Sequence, residues 1–418
     1  RDGERVGTLG GMTLSLARAG MRRASYLYLG VGLMQACYLP YTAIVFHSRG
    51  VGVESIGLIS AMNAMIALTA APIWGHLGDA TLGRAAAFRL SLLLSATGVA
   101  LFAFGPLDGI PGATLSAFAG AGIVPLLDAI GMERLAATGG QWGPLRALTS
   151  GSYATACIAS GAVVAAAGIG AIGPLYAGGA LIILLGTIGL RTNAPLNLHA
   201  AAEQELQRSE LAGGNAEIAV VGSWRDRFGT ASITFRRSPR LAPFLLLSLF
   251  MNLGAGAFYA YGTIRMQDLG GTESMVALSS SVSAAVEIPF FIAGAVVVTR
   301  LGLRTLYIFG LLGLAACTLA YAVIPSPELL ITARGLCGVG FSSTLLASVM
   351  AVRSMVPLEL QATGQALLGA ISFGLAVSIA SLVGGVIYAQ LGAETLFYLA
   401  TLILLSAIPF ATRILRNI

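Results

Sequence analysis

The sequence predicts an all-α membrane protein whose twelve transmembrane helices form two pseudo-symmetric six-helix bundles. Three observations predict this class: the composition, twelve long apolar runs, and a repeat that relates the two halves. The chain has 418 residues, of which 56% are hydrophobic and only 10% charged, and its mean hydropathy is +0.84. Since a soluble domain carries about 25% charged residues, a bilayer must be the solvent for most of these apolar segments.

Twelve apolar runs are long enough to cross a membrane, because about 20 such residues span the hydrocarbon layer. A long polar stretch after the sixth run divides the chain into two halves. The predicted spans are residues 24–47, 54–78, 85–105, 112–133, 144–167, 171–190, 241–265, 274–298, 304–323, 328–352, 361–388 and 394–412. The predicted domains are a cytoplasmic tail (1–23), an N-terminal bundle (24–190), a cytoplasmic linker (191–240) and a C-terminal bundle (241–418).

The arginines predict the orientation. All 24 basic residues are arginine, and with the N-terminus inside only Arg49 and Arg265 fall in outside loops. Arg146 and Arg334 fall within spans, and the others lie inside, which predicts cytoplasmic termini in a bacterial-type cytoplasmic membrane. The net charge of +6 therefore indicates loops beside the lipid bilayer and not nucleic-acid binding. The N-terminal segment is too polar for a signal peptide, and whether residues 1–11 are native is left open.

The two halves repeat at one fixed offset. The pairs separated by 219 positions are Glu54 and Glu273, Gly75 and Gly294, and Gly83 and Gly302. A parallel repeat of six spans is typical of a two-bundle transporter. The shared glycines are expected to permit close helix approach or to provide the turn between helices.

The loop between spans 2 and 3 resembles a signature of the major facilitator superfamily. In "GHLGDATLGR", the residues that match are Gly75, Leu77, Asp79, Gly83 and Arg84; Ala80 replaces the usual basic residue, and one residue is inserted before Gly83. The second copy, "GAVVVTRLGLR", has Val298 in place of the acid. The resemblance implies two bundles that rock around a central site, often driven by protons, and a gating loop in which Asp79 contacts a neighbouring helix end or arginine.

Further motifs resemble the lactose-permease-like and nucleoside-permease-like branch. They are "PLLDA" on span 4, "WGPLRALTSGS" on span 5, "EIPFF" on span 8 and "VPLELQATGQALLG" entering span 11. An acid on span 4 and an arginine on span 5 occur in this context in that branch, although Trp142 stands where a tyrosine is more usual.

Among the charges inside predicted spans, four are candidates for the site: Asp128, Arg146, Glu287 and Arg334. Placing Asp128 or Arg146 alone in lipid costs about 2.5–3.5 kcal/mol on insertion scales. Asp128 and Arg146 lie at matching depth in an antiparallel hairpin, so we expect them to face a cavity close to each other. Glu287 lies near mid-membrane, where desolvation disfavours a charged carboxylate, and Arg334 is a candidate partner for substrate or for Glu287.

None of the four charges is repeated at the offset of 219 positions. Charges that merely held the bundles together would be expected in symmetric copies, so their asymmetry favours a substrate or coupling role. A static structural pair at Asp128 and Arg146, and a structural role for the other two charges, are the alternatives.

Polar side chains on three further spans complete the predicted site. They are Gln35, Tyr38 and Tyr41 on span 1, Asn252, Tyr259 and Tyr261 on span 7, and Gln365 on span 11. Gln35 and Tyr38 are three residues apart and are expected on one helical face. The alternative is that the tyrosines pack between helices or at the membrane interface.

Nothing in the sequence predicts a metal, cofactor or disulfide site. Cys37, Cys157, Cys317 and Cys337 fall in spans without zinc-type spacing, so they are expected to be packing residues. His47, His76 and His199 have no predicted role. A membrane enzyme would need convergent catalytic groups, and no span has a histidine near its middle.

The leading hypothesis is a secondary active transporter that moves a small polar or amphipathic organic solute by alternating access in proton-coupled symport. A proton-driven exporter of drugs or lipids is the alternative, and a transport-dead receptor is a third reading. The substrate, the direction and the coupling ion stay open. A monomer is expected, as the resemblance implies.

Overall fold

The computed structural model describes residues 21–138, 142–188, 190, 232–357 and 360–416. Twelve helices within these residues are long and apolar enough to span a membrane, which confirms the predicted class. They are α1 (Met21–Ser48), α2 (Val53–Thr81), α3 (Arg84–Phe104), α4 (Leu107–Leu135), α5 (Gly143–Ala167), α6 (Ile169–Gly186), α7 (Leu241–Asp268), α8 (Glu273–Ile292), α9 (Leu303–Val323), α10 (Pro327–Met355), α11 (Thr363–Leu391) and α12 (Ala393–Ile414). Most of the predicted linker lies outside the described residues, so its extent stays a prediction.

Two helices differ from their predicted course. α1 leaves regular helix after Ala36 and continues as a turn, a 3-10 segment (Leu39–Tyr41) and a final helical piece (Thr42–Ser48), because Pro40 has no N–H to donate. α8 ends six residues earlier than predicted, and a separate short helix, Gly294–Leu301, follows it.

Helix contacts repeat between the halves. α2 packs on α4 and α3 on α6, while α8 packs on α10 and α9 on α12. The two bundles meet through α5 against α8 and through α2 against α11, which are equivalent pairs under the repeat. The turns repeat as well: Gly83 and Gly302 precede α3 and α9 with φ of +79° and +75°, a left-handed conformation that favours glycine.

The apolar cores show where the bundles are joined. One buried cluster contains residues of both halves, such as Phe46 and Phe102 together with Phe258 and Phe397. It lies at the end of the molecule that carries the α1–α2 and α7–α8 connections, which we call the closed end. Two other clusters each stay within one bundle, one spanning residues 27–190 and the other residues 241–415. Among the described residues, the buried cluster that joins the two bundles is therefore the one at the closed end.

The expectation that all four cysteines are packing residues is wrong for two of them. Cys317 on α9 and Cys337 on α10 form a disulfide, with their Cα atoms 5.5 Å apart. The antiparallel α9–α10 hairpin brings these residues, 20 positions apart in the chain, to matching depth. Cys37 and Cys157 are free thiols.

Candidate functional site

A cavity of about 460 Å³ lies between the two bundles. Its lining comes from α1, α2 and α5 of the first bundle and from α7, α8, α10 and α11 of the second. The hydroxyl-bearing side chains of the lining are Thr42, Ser60, Thr149, Ser150, Tyr153, Tyr259, Thr263, Ser280, Ser283 and Ser381, and Gln35 adds an amide. The cavity is therefore rich in groups that both donate and accept hydrogen bonds.

Three of the four predicted intramembrane charges line this cavity: Arg146, Glu287 and Arg334. Glu287 Oε2 accepts a hydrogen bond from Ser150 Oγ at 3.4 Å, which joins α8 of one bundle to α5 of the other. Both arginines lie within electrostatic range of Glu287. Among the described residues, however, none of the three charges has an ion-pair partner within 4.0 Å.

Aromatic rings support both guanidinium groups. The Cζ atom of Arg334 lies 4.3 Å from the ring centroid of Phe258, and that of Arg146 lies 5.6 Å from Phe291. Such cation–π contacts hold a cation without neutralising its charge. In addition, Arg334 Nε is buried and has no hydrogen-bond partner among the described residues. The Nε donor of Arg334 is therefore unsatisfied in this conformation.

Asp128 occupies a different place from the other three charges. It accepts a hydrogen bond of 2.6 Å from the Tyr28 hydroxyl on α1 and is not among the described residues that line the cavity. Thr149 on α5 donates to the Tyr28 backbone carbonyl at 3.2 Å. Asp128 therefore belongs to a polar contact within the N-terminal bundle.

The predicted polar side chains divide into two groups. Gln35 and Tyr259 line the cavity. Tyr38 instead accepts a hydrogen bond from Ser116 Oγ at 2.9 Å inside the N-terminal bundle, because the turn after Ala36 rotates it away from Gln35. Three others bond to a neighbouring helix: Tyr41 to Ser160 Oγ, Tyr261 to the Ser381 carbonyl and Gln365 to the Val349 carbonyl. Asn252 donates to the Ser248 carbonyl one turn earlier on its own helix, α7.

Sequence reasoning missed most of the hydroxyl lining, although the spacing could have revealed it. On α5, Arg146, Ser150 and Tyr153 recur at i, i+4 and i+7. On α8, Ser280, Ser283 and Glu287 recur at i, i+3 and i+7. Both patterns place polar groups on one helical face.

The gating loop, residues 75–84, lies at the end opposite the closed end. Asp79 Oδ1 accepts a hydrogen bond of 2.9 Å from Arg84 Nε, and Arg84 Nη1 lies 3.7 Å from Glu133 Oε2 on α4. Residues Leu77–Thr81 form a π-helical turn, and Gly83 supplies the left-handed turn into α3. Gly75 faces open space.

Twelve membrane helices in two repeated bundles, with a polar cavity where the bundles meet, define the architecture of a major-facilitator-type transporter. A family model described as "MFS_1 like family" matches residues 25–399. The chain belongs to this family.

Two curated relatives resemble most of the chain. A maltose permease of Geobacillus stearothermophilus is 27% identical over 356 residues, which cover 82% of each protein. An uncharacterized transporter, YwbF, of Bacillus subtilis (strain 168) is 23% identical over 369 residues, covering 87% of this chain and 84% of the relative.

Solved structures share the fold at low sequence identity. The nucleoside transporter NupG aligns with a TM-score of 0.73 and 15% identity, over 96% of this chain and 100% of that chain. A POT family transporter in complex with 5-aminolevulinic acid aligns with a TM-score of 0.67 and 12% identity, over 95% of this chain and 96% of that chain.

Proposed function

We propose that this protein is a proton-coupled symporter that takes up a small polyhydroxylated organic solute by alternating access. The observation that carries the proposal is the central cavity, which combines many hydroxyl groups with three uncompensated charges. Its volume of about 460 Å³ lies within the range of about 300–1,000 Å³ typical of small-molecule sites. Both halves of the site belong to one chain, so a monomer suffices.

The lining supports a solute with many hydrogen-bonding groups. Hydroxyl side chains match sugar hydroxyls as donors or acceptors, and the guanidinium groups of Arg146 and Arg334 in the lining add further donors. The similarity to a maltose permease and the shared fold with a nucleoside transporter support the same class of solute.

The proposed coupling acts through Glu287, because its hydrogen bond with Ser150 crosses between the bundles. Protonation would remove the carboxylate charge that attracts Arg146 and Arg334, and would leave both guanidinium groups to the solute. The free energy of the contact between the bundles and the free energy of solute binding would then both depend on whether Glu287 is protonated. If both termini are cytoplasmic, as the arginines predict, the closed end faces outside.

The test is solute and proton flux in proteoliposomes, with maltose and uridine as the first probes and a wider sugar and nucleoside panel after them. We expect Glu287→Gln to abolish accumulation driven by a pH gradient while solute exchange continues, because a glutamine binds no proton in this range. Glu328→Gln is the matched control, since Glu328 is an exposed acid on α10 that does not line the cavity.

Two results would contradict the proposal. Uphill transport that survives in Glu287→Gln would remove Glu287 from coupling. Proton-driven efflux of amphipathic drugs or lipids, with no sugar or nucleoside from the panel transported, would instead establish the exporter.

A further inference from the structure

Three polar side chains connect the two bundles at the closed end. His47 Nε2 on α1 lies 3.8 Å from Asp268 Oδ1 on α7, and the Tyr388 hydroxyl on α11 donates to Asp268 Oδ2. α1 belongs to the N-terminal bundle, whereas α7 and α11 belong to the C-terminal one. The contact between His47 and Asp268 must therefore break when the bundles separate at this end.

We propose that His47 and Asp268 form a pH-sensitive latch that favours closure of this end when the aqueous phase beside it is acidic. Histidine gains its charge between about pH 8 and pH 5. A protonated His47 attracts the Asp268 carboxylate, whereas the neutral imidazole does not. The latch is therefore strong at acidic pH and is lost as the pH rises.

The two arginines near the latch, Arg49 and Arg265, are already engaged within one bundle. Arg265, one turn before Asp268, donates to Glu394 Oε1 at 3.2 Å, and both residues belong to the C-terminal bundle. Arg49 donates to three backbone carbonyls of the N-terminal bundle, those of Phe102, Ala103 and Asp108. His47 is thus the cation that is left to pair with Asp268 among the described residues.

One further acid faces the same helix. The Cα of Glu54 on α2 packs against Gly385, one turn before Tyr388 on α11. Among the described residues, Glu54 has no ion pair within 4.0 Å. Glu54 is therefore a second acidic residue at the closed end, beside the helix that carries Tyr388.

The latch is accessible to water and of modest strength. The His47 and Asp268 side chains are 38% and 35% exposed, so both are in contact with the surrounding solution. Exposed ion pairs change an equilibrium by about two- to five-fold. This is enough to bias the two conformations without locking either of them.

The experiment measures the conformation directly and needs no solute. Spin labels at Phe104→Cys on α3 and Leu391→Cys on α11, both exposed positions at the closed end, report the separation of the bundles in nanodiscs at pH 5.5 and 8.0. Cys37 and Cys157 are replaced by serine. All proteins carry Glu287→Gln, so that titration in the cavity does not contribute and the outcome is independent of the proposed proton coupling.

We expect the closed-to-open ratio to fall by about two- to five-fold between pH 5.5 and 8.0. His47→Gln and Asp268→Asn should abolish this dependence on pH. His47→Arg should keep the closed-to-open ratio high at both pH values, because arginine stays charged. Glu394→Gln is the matched control, because it breaks an ion pair of the same end within one bundle, and it should retain the response. The latch is refuted by a ratio that does not change with pH, or by an unchanged response in His47→Gln.

Discussion

At the scale of single residues, the site holds its cations with aromatic rings and not with carboxylates. Phe258 lies under Arg334 at 4.3 Å and packs edge-on against Tyr321 at 4.9 Å. The ring fixes the guanidinium in place and leaves its charge without a carboxylate partner within 4.0 Å among the described residues. In the proposed function, this charge attracts an acceptor group on the solute.

We expect Phe258→Leu to raise the solute concentration for half-maximal uptake by about five- to thirty-fold, because a desolvated cation–π contact contributes about 1–2 kcal/mol. The maximal rate should change little. The measurement is a double-mutant cycle with Arg334→Gln, in which Phe258→Leu should have no further effect.

Phe244→Leu is the control for this cycle. Phe244 is equally buried on the same helix and contacts the Tyr307 ring at 6.0 Å without any cation. An equal loss of uptake affinity in Phe244→Leu would show that Phe258 acts only through packing.

At the scale of elements, the repeat is preserved in the turns as well as in the helices. Gly83 and Gly302 both adopt left-handed backbone and begin the third helix of their bundles. The acid of the gating loop is not repeated, since Val298 occupies its place. The turn geometry is therefore common to both halves, and the Asp79–Arg84 contact belongs to the first half alone.

We predict that Gly302→Ala lowers the free energy of unfolding by about 1–2 kcal/mol, because a left-handed conformation strains any residue with a Cβ. No atom lies within 4 Å of the added methyl group, so the effect isolates the backbone. Thermal unfolding in detergent measures it.

Gly75→Ala provides the comparison for this variant. Gly75 also has open space around it but lies in regular helix, where alanine stabilises by about 0.5–1 kcal/mol. If both variants changed the melting temperature in the same direction, the assignment of strain to Gly302 would be wrong.

At the scale of the whole molecule, the closed end depends on very close helix approach. A Cβ added at Gly57 on α2 would lie 2.3 Å from the Tyr261 hydroxyl and 2.5 Å from the Ser381 carbonyl, both in the other bundle. Since part of this contact is backbone, it cannot yield without the bundles moving apart.

We therefore predict that Gly57→Ala opens the closed end. Overpacking of this kind costs about 1–3 kcal/mol, so the reaction of Ser60→Cys with a membrane-impermeant maleimide added from outside should accelerate on the order of ten-fold. Ser60 lines the cavity on the same helix. Gly178→Ala, at a position with open space, should leave the rate unchanged, and an unchanged rate in Gly57→Ala would contradict the prediction.

The sequence by itself determined the fold class, the twelve spans and the repeat, because hydropathy and span length follow directly from the cost of placing polar groups in lipid. It also identified Asp128, Arg146, Glu287 and Arg334 as candidate substrate-binding or coupling charges inside the membrane. Only the tertiary structure decided that these three line one cavity while Asp128 bonds to Tyr28. It likewise paired Cys317 with Cys337 and His47 with Asp268. Spacing along the chain shows that a helix has a polar face. Which neighbouring helix that face meets depends on contacts between distant segments, which spacing does not encode.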